Sequence, residues 1–304
     1  MSNKGVRSVE MNESGRHRLR TVRSVERPLA VRQGCQTSRP LGPQVLARLL
    51  AAVFFLGSLW LNLIGCAVSL PSEAFPSSRF VLHSESDPKE TREVLLQAEA
   101  FFDDLESYLG LKAPPGGLLK IVHFRHRVDL WAYLGEEIPE FRWRKGVCFE
   151  KADHYVLALS GRPEEPAFQE TLRHELTHYF LIVHFSEFPP WIDEGLAQVL
   201  ATGSPFPEPG LPRADPAGWS GTGSAAECMK LLQKRPGEKL TAFEYKLARN
   251  LAAGLIARSG DSLARLVRFL ELSAADREPS QVFREAWGLS FEEACAELTD
   301  SKGL

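Results

Sequence analysis

Cysteine is scarce in this chain of 304 residues, five in all, and no Cys-x-x-Cys spacing occurs. A disulfide framework and a thiolate zinc site are thereby excluded. Past Cys66 only Cys148, Cys228 and Cys295 remain, which allow one bridge at most and otherwise read as small buried hydrophobes. Internal repeats and low-complexity tracts are absent. With 44% hydrophobic and 25% charged residues, the chain has the composition of one large globular domain or two small ones. Basic charge is also missing where a polyanion would need it. Residues 1–65 hold ten of the 36 Lys/Arg and three of the 39 Asp/Glu, so the remaining 239 residues carry a formal net charge of −10. An acidic body excludes nucleic acid as a partner, since neutralising phosphates takes clustered Lys and Arg.

The basic portion precedes "LLAAVFFLGSLWLNLIGC", Leu49 to Cys66, with Arg39 and Arg48 on its N-terminal side. The hydrophobic run from Leu49 to Ile64 is short for a membrane span, which needs about 20 residues, and suits a secretory signal segment. No Arg-Arg pair precedes it, which argues against a twin-arginine signal. It ends in Leu63-Ile64-Gly65-Cys66, which resembles the lipobox of bacterial lipoproteins. That resemblance implies cleavage before Cys66, a lipid on its thiol, and an exported domain held at a membrane of the cell envelope. An uncleaved signal anchor is the alternative.

The expected organisation is a basic leader and signal segment at 1–65, a tether at 66–78 and a sheet-containing subdomain at 79–202. A Gly/Pro-rich loop at 203–224 and a helical subdomain at 225–304 complete it. "RFVLHSES" (79–86) and "GLLKIVHF" (117–124) read as strands. Residues 87–111 read as a long amphipathic helix with Val94, Leu95, Ala98, Phe101, Phe102, Leu105 and Leu109 on its apolar face. A second helix at 127–136 and a hairpin at 146–160 follow, so the order predicts a small mixed α+β sheet.

"TLRHELTHYF", residues 171–180, falls on the next helix, predicted from Ala167 to Val183. Residues i and i+4 share a helix face, so His174 and His178 present two imidazoles that one metal ion can join. Glu175 is turned to reach a water on that metal, as His-Glu-x-x-His chemistry requires of a base. A catalytic zinc site needs a third protein ligand and an open position. Glu194, in "FPPWIDEGLAQVL" (188–200), stands sixteen residues after His178 at the start of the next helix. A short loop between two helices can bring it to the histidine pair.

HELTH followed by P-x-W-x-x-E-G-L-A closely resembles the gluzincins, the thermolysin-like and aminopeptidase-N-like metallopeptidases of the MA clan. Lipoproteins of that clan with a strand-rich part ahead of HELTH are the nearest likeness. The resemblance implies a zincin-like α+β fold, one zinc ion and a peptide or protein substrate. His174, His178 and Glu194 become ligands and Glu175 the general base. It also implies small residues at Gly195 and Ala197 where the two helices approach, and Gln198 bonding a ligand from behind. A donor for the tetrahedral oxyanion is expected from the C-terminal helices, with Tyr245 the candidate. Trp191 is expected to pack, and Asp193 is a candidate carboxylate behind a ligand, diverging from Glu194 by about 100° around the helix, so Glu194 is the expected ligand. "HYVLALS" (154–160) is the expected sheet edge for an extended substrate. No Gly-Ala-Met-Glu-Asn-type segment occurs, which weakens any claim of N-terminal exopeptidase activity. His123 and His126 read as surface residues rather than a second metal site, His184 as a loop or substrate residue, and Arg142, Arg144 and Lys145 as solvated hairpin charge, with binding of a substrate carboxylate the alternative. The competing readings are a non-catalytic zincin-like binding domain and a hydrolase of non-peptide amides.

Overall fold

In the computed structural model, residues 74–112, 119–185, 187–202, 224–257, 261–273 and 277–300 are described. Cys66, the leader and all of the loop 203–224 except Ser224 lie outside them. No helix of the described residues is long and apolar enough to cross a membrane.

The fold is α+β, built on a mixed sheet of five strands among the described residues. Strands β1 (Ala74–Pro76), β2 (Phe80–Ser84), β3 (Leu119–Phe124), β4 (Gly146–Lys151) and β5 (His154–Ser160) take the order β1-β2-β3-β5-β4. The central three run parallel, and β1 and β4 lie antiparallel on the two edges. Helix α1 (Pro88–Leu109) makes the first crossover. Asp87 starts it by accepting the Lys89 and Glu90 backbone N–H groups, and Gly110 ends it at φ 66°, a left-handed turn that glycine enters without strain. Phe101, Phe102 and Leu105 bury the predicted face against the sheet and its covering helices. Helix α2 (Arg127–Glu137) makes the second crossover and leads through a 3₁₀ turn, Pro139–Phe141, into β4.

Two expectations are corrected. The proposed tether contains β1, whose Phe75 packs on the core while Pro76 sits on an edge strand, where its missing N–H costs no ladder bond. The strand 154–160 is not the sheet edge. It pairs with β3 on one side and β4 on the other, which leaves β4 as the edge. The buried run Val156-Leu157-Ala158-Leu159 has the near-continuous apolar character of a strand covered on both faces.

Helix α3 (Pro166–His184) crosses this end of the sheet, packing on α1, β4 and β5. A short connection leads to α4 (Pro190–Ala201), which lies between α3 and α6 (Ala242–Ala257). Helices α5 (Ala225–Leu232), α7 (Ser262–Ser273), α8 (Pro279–Trp287) and α9 (Phe291–Asp300) complete the helical part. Cys228 of α5 and Cys295 of α9 form a disulfide, with Cα atoms 5.9 Å apart.

Candidate metal centre

Helix α3 begins at Pro166, whose fixed φ suits the first helical turn, and buries Leu172, Leu176, Tyr179 and Phe180 in the core. Tyr179 lies against the Phe102 and Tyr155 rings, so the apolar face fixes the rotation of the helix. That rotation turns His174, Glu175 and His178 to one side, all three buried. The two histidine Nε2 atoms approach to 3.0 Å.

Helix α4 brings the carboxylate. Trp191 is fully buried against Phe269 and seats its first turn, as expected of a packing residue. Glu194 Oε2 then lies 3.6 Å from His174 Nε2 and 4.0 Å from His178 Nε2. The ligand atoms of the three residues all fall within 4.8 Å of one another, the one such group among the described residues. Glu194 Oε2 is buried without a hydrogen-bond partner. A cation between them would satisfy the two imidazole nitrogens and the unpartnered carboxylate oxygen that converge out of water, so these residues could hold a metal ion.

The surrounding contacts fix each ligand. His178 Nδ1 is bonded to Asp193 Oδ1 at 2.7 Å, and the His174 ring bonds the Ala197 backbone. The Tyr245 hydroxyl donates to Glu194 Oε1 at 3.2 Å. Tyr245 is placed there by a reciprocal cap on α6, in which the Thr241 N–H donates to Glu244 Oε2 and the Glu244 N–H to Thr241 Oγ1. Gln198 does not support a ligand directly. Its Nε2 donates to the Tyr245 carbonyl, one layer further out. Nor does Gly195 face α3. A Cβ there would lie 2.5 Å from the Ala248 carbonyl oxygen, so its absence admits α6.

Burial governs the charges. It drives the His174 pKa well below the ordinary value, with the His178 charge adding to the effect, and so favours a neutral ligand nitrogen. Burial alone would lower His178 too, but the Asp193 carboxylate, with Glu194 and Glu175, outweighs it and raises the pKa to about 10. Glu175 is pushed up to about 7 by burial, against the opposing pull of His178, a hydrogen bond from the Cys148 backbone and the Arg144 charge. Glu194 is likewise raised to about 8, mainly by burial. A carboxylate poised near neutrality is suited to exchange protons at physiological pH.

Glu175 faces the edge strand. A Cβ on Gly146 would meet Thr171 Cγ2 at 2.5 Å and Glu175 Cγ at 3.2 Å, so glycine lets β4 lie directly on this part of α3. Sequence reasoning did not single out Gly146 or Cys148 for the site. A glycine entering a strand, a mark of close backbone approach, was the available signal. His123 is also corrected from surface to core. At the end of an interior strand it is fully buried, with Nδ1 on Ser84 Oγ and Nε2 on the Gly161 carbonyl. His184 stacks on Phe180 and bonds the Phe180 and Lys112 carbonyls, away from the metal-binding group.

No known family model matches the chain, and no curated protein matches it either.

Proposed function

We propose that the protein is a zinc-dependent peptidase of gluzincin type, with a zincin-like fold, anchored to a bacterial membrane and facing the periplasm or exterior. The observation that carries this reading is the buried convergence of His174, His178 and Glu194, with the buried Glu175 next to His174 on the same helix. A ligand set of two imidazoles and one carboxylate suits zinc and leaves a coordination position open. Zinc bound there would supply a polarised carbonyl and a more acidic water.

The chain's own residues account for the rest. Glu175 accepts the proton of the attacking water at its carboxylate and passes it to the leaving amide nitrogen. His178 is held in orientation by Asp193, and Glu194 by the Tyr245 hydroxyl. Tyr245 therefore acts first on the ligand. Its role as oxyanion donor requires the hydroxyl to leave Glu194 in the transition state. The edge strand β4 offers an extended peptide backbone hydrogen bonds beside Glu175. The signal segment ending in Cys66 supports export and lipid anchoring, and the Cys228–Cys295 disulfide is in keeping with an oxidising compartment.

Replacing the base tests the reading. Glu175→Gln should retain the metal yet lower peptide hydrolysis by about 10²-fold or more. Mass spectrometry of a digested peptide mixture and metal analysis read the two properties. Hydrolysis at the wild-type rate would remove Glu175 as the base. A wild-type protein that holds zinc but cuts nothing would favour the zincin-like binding domain.

A further inference from the structure

Ahead of β4 the chain presents an unusual concentration of cation and indole. Arg127 lies over the Trp131 ring at 5.9 Å, Arg142 over Trp143 at 4.9 Å and Arg144 over Phe141 at 5.7 Å. Trp131 and Trp143 meet edge to face at 5.0 Å, and Trp143 is 68% exposed. Among the described residues none of these three guanidinium groups forms a salt bridge with a carboxylate, although the body of the chain is acidic and the Arg144 charge acts on Glu175. Elsewhere Arg79, Arg125, Arg268 and Arg277 each find one. A guanidinium held on an aromatic face is oriented without spending its hydrogen-bond donors, which stay available for a planar anion.

Arg144 is the member nearest the chemistry. It is half-buried, and its carbonyl accepts from Trp131 Nε1 at 3.1 Å, which fixes the segment on α2. It precedes by two residues Gly146, the glycine that lies on Glu175. Two residues of chain span at most about 7 Å, so Arg144 stands within reach of groups flanking a bond positioned at Glu175.

We propose that Arg144, supported by the neighbouring arginines and indoles, forms a subsite for a carboxylate within about two residues of the scissile bond. The carboxylate is either an acidic side chain or the substrate's C-terminus. A bidentate guanidinium–carboxylate contact in a partly desolvated site supplies the selectivity. The word substrate rests on the peptidase reading, whereas the carboxylate contact does not depend on turnover.

The test is calorimetric binding to the metal-loaded Glu175→Gln protein. The probes are acetylated hexaalanine amides carrying Glu or Gln at each position in turn, with hexaalanine bearing a free or amidated C-terminus. At least one carboxylate-bearing probe should bind tenfold or more tightly than its neutral counterpart. Arg144→Gln should erase the difference, and Arg144→Lys should restore part of it, with melting curves showing both variants folded. Equal affinities, a difference that survives Arg144→Gln, or no binding at all would overturn the subsite. So would binding to phosphatidylglycerol vesicles that depends on Arg144 while the peptides show no preference. A preferred peptide that the wild-type protein leaves uncut would contradict the peptidase reading alone.

Discussion

A histidine can offer a metal either ring nitrogen, and whatever bonds the other nitrogen decides which one faces the ion. Asp193 makes that choice for His178. It holds Nδ1 at 2.7 Å and leaves Nε2 toward His174 and Glu194. Asp193→Asn keeps the size of the side chain and removes its charge, so metal affinity should fall about 10–100-fold. Competition with a chromophoric chelator measures this, and unchanged affinity would deny Asp193 the role. The divergence of Asp193 from Glu194 around α4 was readable from their adjacency. A supporting carboxylate at Asp193 was readable too, but which ring it would hold was not, because that depends on where the imidazole lies. The two carboxylates reach opposite nitrogens of one ring, so divergence is what lets both serve.

The scale of elements explains which expectations held. Helix α1 was legible from its apolar periodicity, and α3 and α4 from the motifs they carry, all local signals. The three metal-binding candidates followed from spacing on two of those helices. Sheet order is a long-range property, and the hairpin 146–160 carried little local sign of which strand would join β3. Only the uniformly apolar interior of β5 pointed to the answer. Gly195 belongs to this scale as well, since the partner it accommodates lies 53 positions downstream at Ala248. Gly195→Ala places a Cβ against a backbone oxygen that can yield only if α4 and α6 separate. A loss of about 1–3 kcal/mol in unfolding free energy is expected. Denaturant titration should show it, together with weaker metal binding, because α4 carries Glu194. Wild-type stability would mean that the helices part freely.

At the scale of the whole molecule, one covalent link ties the helical part together. The Cys228–Cys295 disulfide joins α5 to α9 across 67 positions and clips the end of the chain back on the helices that follow the site. Closing a loop of that length in the unfolded chain is worth about 2–4 kcal/mol. Reduction, or Cys295→Ser, should therefore lower the melting temperature by several degrees. Metal content should persist at moderate temperature, since His174, His178 and Glu194 lie on α3 and α4. An unchanged melting curve in reductant would indicate that the link contributes nothing to stability.

A centre of His174, His178 and Glu194 implies one metal ion per chain. Elemental analysis of the purified protein, after exhaustive dialysis with stoichiometric zinc, should find about one zinc per chain in the wild type. Glu194→Gln should reduce tight binding sharply without unfolding the protein. A wild-type chain that retains no metal, or a Glu194→Gln variant that retains it as tightly, would contradict the three-ligand centre.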